Sequence, residues 1–218
     1  MTTRFKICCM QNVEEARLAV DHGASALGFV TAMPSGFGPI DENLIARIIA
    51  TVPPHIATFL LTCAKDARTI LRQQRRSGAN TLQLVDEVSP RAYAVLRDAI
   101  PDVSIVQVIH VEGEKSIRDA GAVAPHVDGI LLDSGNPSLA IKELGGTGRV
   151  HDWTISRRIR EEVEVPVFLA GGLRAENVSE AIESVRPFGV DVCTGLRTDG
   201  ALDPDKLERF VTAVRAAG

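Results

Sequence analysis

Apolar runs of five to eight residues alternate with longer amphipathic stretches along the whole chain. The short runs predict eight strands: FKICC (5–9), ALGFV (26–30), IATFLL (56–61), TLQLV (81–85), SIVQVIHV (104–111), GILLD (129–133), VPVFLAG (165–171) and GVDVC (189–193). Between them, apolar positions recurring every three to four residues predict helices over 12–23, 42–52, 67–78, 90–100, 113–125, 155–163, 176–185 and 204–218. Asn12 and Asp41 stand where N-caps belong, and Gly23 and Gly78 where helices stop.

The strands are nearly continuous apolar runs, as when helices cover both faces of a parallel sheet. Eight strand–helix units at this length predict an α/β fold, a single-domain (β/α)8 TIM barrel over residues 1–218. A doubly wound open sheet is the alternative that tolerates the same alternation with fewer strands.

A formal net charge of −4 gives no basic footprint, so nucleic acid and anionic membrane are not expected partners. No stretch reads as a signal peptide or a membrane span. Cys8, Cys9, Cys63 and Cys193 form no CxxC pair, and no histidines cluster at zinc-ligand spacing. The expectation is a reduced, cytoplasmic protein with no metal and no cofactor.

In such a barrel, chemistry sits at the carboxyl ends of the strands. Cys8, Asp133, Gly171, Gly172, Thr194 and Gly195 fall there, with GGTG at 145–148. A single glycine pair would read as plain turn chemistry, but two such turns after the two last strands favour a phosphate held by backbone N–H groups. Asp133 ends an apolar strand, as a catalytic acid or as a cap or ion-pair partner. Because side chains alternate along a strand, one of Cys8 and Cys9 is expected to face the mouth and the other the helices. His110 near the end of the fifth strand reads as structural, and Trp153 as packing.

Taken in order, KIC (6–8), GASALGFV (23–30), LLDS (131–134), GGTG (145–148), DW (152–153), LAGGL (169–173), NV (177–178) and GVDV (189–192) resemble the phosphoribosylanthranilate isomerase family over essentially the whole chain. The resemblance implies a (β/α)8 enzyme of tryptophan biosynthesis that performs an Amadori rearrangement on a phosphorylated sugar. It implies Cys8 as general base and Asp133 as general acid. Lys6, Gly145, Gly146, Gly148, Gly171, Gly172, Thr194 and Gly195 are assigned to the substrate and its phosphate. Cys9 stands where the family has glycine.

The chain departs from the family at the mouth. Gly36 and Phe37 follow Ser35 where the family carries Pro and Arg, the arginine that holds the anthranilate carboxylate. Val85 and Asp86 replace His and Gly, and Leu61 replaces a polar residue. Ser35, Phe37, Val85 and Asp86 therefore define an altered aglycone pocket, with Asp86 repelling an anion if it points inward. Arg149 and Arg197 are either substitute cations or solvated surface residues. Three readings follow: an isomerase with a rebuilt carboxylate site, a paralogue acting on another phosphoribosyl amine, or a non-catalytic phosphate-ligand protein. The partner is a small phosphorylated sugar, and the assembly a monomer or homodimer.

Overall fold

The computed structural model describes residues 3–145 and 148–217. Eight parallel strands close into a barrel in sequence order: β1 (Arg4–Ile7), β2 (Ala26–Val30), β3 (Ala57–Thr62), β4 (Thr81–Leu84), β5 (Ser104–His110), β6 (Gly129–Asp133), β7 (Val167–Leu169) and β8 (Gly189–Val192). β1 pairs with β8 from Arg4↔Gly189 to Ile7↔Val192, so the sheet has no open edge and the doubly wound alternative is excluded.

Eight helices follow the strands: α1 (Val13–Asp21), α2 (Glu42–Ile49), α3 (Ala67–Ser77), α4 (Pro90–Ala99), α5 (Lys115–Val123), α6 (Trp153–Glu162), α7 (Val178–Val185) and α8 (Pro204–Ala217). The two expected N-caps hold: Asn12 accepts from the Glu15 N–H at 2.8 Å and Asp41 from the Asn43 N–H at 2.9 Å. Gly78 takes the left-handed conformation (φ 72°) that ends α3. α6 starts at Trp153, two residues before the expected 155, because Asp152 caps it by accepting from the Thr154 N–H.

Strand alternation divides the apolar residues into two cores. Ile7, Leu27, Leu60, Leu82, Ile130 and Val190 pack outward against helix residues such as Ile45, Ile48 and Phe210. Each such fully buried side chain contributes about 1.5–3 kcal/mol relative to exposure. Positions of the other parity, including Phe59, Leu61, Val106, Val108 and Leu131, fill the barrel itself. No helix among the described residues is long and apolar enough to cross a membrane.

Candidate active site

The inward parity carries the chemistry to the carboxyl-terminal end. On β1 it passes through Lys6 to Cys8, on β6 through Leu131 to Asp133, and on β8 through Asp191 to Cys193. One cavity at this end is lined by Cys8, Asp133, Ser35, Phe37, Val85, Gly145, Gly148, Gly171, Gly172, Thr194 and Gly195. Eleven residues singled out from the sequence therefore meet in one place. Gly146 lies outside the described residues.

Cys8 is buried, and its thiol is held below the ordinary value. The neighbouring Cys9 thiol, hydrogen-bonded to its sulfur, stabilises the thiolate most; burial opposes this, and the Lys6 ammonium reinforces it. Gly28 on β2 makes the room. A side chain there would approach Cys8 Sγ to 2.7 Å and Lys6 Nζ to 3.1 Å.

Asp133 is shifted the other way. Burial raises its carboxyl above the usual range, and Asp191 adds repulsion; the Ser134 N–H, donating at 2.7 Å, and His110 partly offset this. Gly145 backs onto it, since a side chain at 145 would come within 2.9 Å of Asp133 Oδ2.

The late glycine turns interlock. Gly172 takes φ +64°, and a Cβ there would meet the Arg149 carbonyl oxygen at 2.7 Å. A Cβ on Gly195 would collide with the Leu173 carbonyl. Only glycine allows the backbones after β7 and β8 to approach this closely. Asn177 fixes the first turn, donating to the Gly172 carbonyl at 3.0 Å and accepting from the Arg174 N–H at 2.9 Å.

A family model for N-(5'-phosphoribosyl)anthranilate isomerase matches residues 5–213. The chain belongs to this family. It is 38% identical over 210 residues to N-(5'-phosphoribosyl)anthranilate isomerase 2 of Methanosarcina mazei, covering 95% of this chain and 92% of that protein. It is 34% identical to the Haloarcula marismortui isomerase, covering 99% of this chain and 97% of that one. Among solved structures, the Thermotoga maritima phosphoribosylanthranilate isomerase superposes with a TM-score of 0.84 at 29% identity, covering 98% of this chain and 99% of that one. A phosphoribosylanthranilate isomerase in complex with reduced 1-(o-carboxyphenylamino)-1-deoxyribulose 5-phosphate superposes at 0.82 with 26% identity, covering 98% and 99%.

Within this isomerase scaffold several sequence expectations need correction. Lys6 does not reach a phosphate: it is 1% exposed inside the barrel, and its Nζ forms an ion pair with Asp191 Oδ2 at 2.8 Å. Burial alone would lower its pKa, but Asp191 and Cys8 raise it above the ordinary value, so it stays charged. Asp86 turns away from the cavity and is neutralised by Lys142 at 2.7 Å and Lys65 at 3.3 Å. Arg197 is neither a solvated surface residue nor a substitute cation. Its guanidinium is buried, holding Glu15 bidentately at 3.0 and 3.1 Å and donating to the Cys9 carbonyl at 2.5 Å. Arg149 pairs with Glu143 on the surface.

Cys9 overturns the alternation argument. β1 ends at Ile7, and Cys9 adopts φ +66°, which turns its side chain into the same cavity as Cys8. Its sulfur lies 2.6 Å from that of Cys193, and these two neighbours with burial hold its thiol well above the ordinary value. The family's glycine at this position suits that backbone; cysteine occupies it under strain.

Two lining residues had no part in the sequence reading. Asp191 Oδ1 and Gln83 Oε1 are buried acceptors without a hydrogen-bond partner. The available signal was parity: an acid and an amide at inward positions of otherwise apolar strands.

Proposed function

We propose that this cavity isomerises N-(5'-phosphoribosyl)anthranilate to 1-(o-carboxyphenylamino)-1-deoxyribulose 5-phosphate, an Amadori rearrangement of tryptophan biosynthesis. Protonated Asp133 donates to the ribose ring oxygen as the C1'–O bond breaks and the nitrogen lone pair forms C=N. The Cys8 thiolate then removes the C2' proton. That electron pair becomes the C1'=C2' bond of an enolamine, and protonation at C1' with loss of the 2'-hydroxyl proton completes the ketone. The phosphate lies against the glycine turns at 148, 171–172 and 194–195, while Asp191 Oδ1 and Gln83 Oε1 accept from sugar hydroxyls.

The observation that carries this reading is the pairing of Cys8 and Asp133 in one cavity, with environments that push their proton affinities in opposite directions. A reduced, cytoplasmic setting suits four free thiols. One related solved protein, from Thermotoga maritima, is described as dimeric and has been obtained as monomers, and either state serves this site.

The test is loss of substrate fluorescence with phosphoribosylanthranilate generated in situ. Cys8→Ala and Asp133→Asn should each reduce kcat by roughly 10²–10⁴-fold, the usual contribution of one positioned acid or base. A folded wild type without turnover would refute the assignment.

A further inference from the structure

We infer that the aglycone side of the cavity is built for an uncharged arylamine, so that the protein isomerises the 5-phosphoribosyl conjugate of aniline at least as readily as that of anthranilate. This rests on the isomerase function proposed above and extends it to a further substrate class.

The argument begins with the wall. Val30, Met33, Phe37, Leu61, Val85 and Leu144 line the cavity on the side away from the glycine turns. The ionisable side chains lining the rest are two carboxylates, Asp133 and Asp191, and the thiols of Cys8, Cys9 and Cys193. Among the described residues no lysine or arginine lines it.

Nearby cations are all committed. Lys6 is paired with Asp191 below the cavity, and Lys65 and Lys142 hold Asp86 outside it. Arg149 is on Glu143. Arg197 lies 4.8 Å from the centre of the Phe37 ring, but it does not line the cavity and its charge is paired: its two terminal nitrogens go to Glu15 and to the carbonyls of Cys9 and Gly200, while Nε is buried without a partner.

A carboxylate on the aromatic ring would exchange water for hydrocarbon and would share the cavity with the Cys8 thiolate, with no lysine or arginine among the described lining residues to offset either loss. The same ring without a carboxylate loses nothing on entering. It gains contact with aliphatic side chains and with the Phe37 ring, whose faces and edges suit an aromatic partner. Discrimination of this kind comes from the unpaired charge rather than from an added attraction. The chemistry is unchanged: the conjugate loses a proton at C2', gains one at C1', and no other reactant enters.

Both conjugates form from ribose 5-phosphate and the free amine, and the ketose product separates from the aldose by anion-exchange chromatography. Initial rates with wild-type protein should give kcat/KM for the aniline conjugate equal to or above that for the anthranilate conjugate. Met33→Lys, which adds an ammonium to the apolar wall, should shift the ratio towards anthranilate by tenfold or more. A wild-type ratio favouring anthranilate overturns the inference and leaves the isomerase function standing. Folded protein that turns over neither conjugate overturns both.

Discussion

Lys6 and Asp191 are register partners across the seam where the barrel closes, and their charged ends meet at 2.8 Å two residues below Cys8. The pair is almost fully removed from solvent, so its attraction is weakly screened. One ion pair therefore joins the first strand to the last and places a cation near the Cys8 sulfur, the proposed base.

Removing that cation should have two separable effects. Lys6→Met leaves the Asp191 charge buried alone, a loss of about 3–5 kcal/mol for breaking a buried pair. It should also raise the Cys8 pKa. In the double variant Lys6→Met/Asp191→Leu, urea unfolding should show stability largely recovered, while the Cys8 pKa falls part of the way back because Asp191, which raises it, is gone as well.

The pH dependence of Cys8 alkylation reports the base directly. Its folded pKa lies below the ordinary thiol value, so the thiolate forms at lower pH than on a free cysteine. Iodoacetamide labelling of Cys8, followed by mass spectrometry, should reach half-maximal rate below the midpoint for a model thiol peptide. If Asp133 is the acid proposed above, turnover should in addition fall as pH rises through its elevated pKa, because the proton it would donate is lost there.

Cys9 offers a test of backbone strain. At φ +66° a side chain costs about 1–2 kcal/mol relative to glycine. Cys9→Gly should thus be more stable than Cys9→Ala by about 1 kcal/mol in thermal or urea unfolding, the reverse of the order at an ordinary helix or strand position. Equal stabilities would show that the turn relaxes when the sulfur is removed.

His151 should make stability depend on mild acid. Its ring is largely buried, with Nε2 bonded to Ser156 Oγ at 2.7 Å, and burial lowers its pKa to about 4. Because the folded value lies below the unfolded one near 6.5, the contribution is complete above pH 6.5 and is lost as pH falls towards 4. The linkage amounts to roughly 3 kcal/mol. His151→Gln should lose correspondingly less stability than wild type between pH 7 and pH 4.5 in urea titrations.

Strand-length apolar runs and helix caps made the barrel readable, because such runs and residues such as Asn12 and Asp41 act locally. Strand ends likewise brought Cys8 and Asp133 to the cavity, since each closes an inward-facing row. Depth was not readable: Lys6 has the right parity for the mouth but sits one layer lower, where only the partner on β8 explains its charge. Asp86 and Arg197 were misjudged because the groups that hold them, Lys142 and Glu15, lie 56 and 182 residues away in sequence. For Cys9 the local pattern indicated a strand, and the left-handed turn at φ +66° depends on how the loop after β1 folds back, which the local pattern does not show.

The seam between β1 and β8 also sets an order of events during synthesis. Lys6 and Cys9 leave the ribosome long before their partners: Cys193 and Arg197 follow Cys9 by 184 and 188 residues, and Asp191, the partner of Lys6, lies on β8. Contacts of such long sequence separation form late, after loop closure of nearly the whole chain. A nascent barrel lacking its final strand would hold neither the charge partner of Lys6 nor the clamp on the Cys9 turn, so this end of the barrel takes its shape only once β8 and Arg197 are in place.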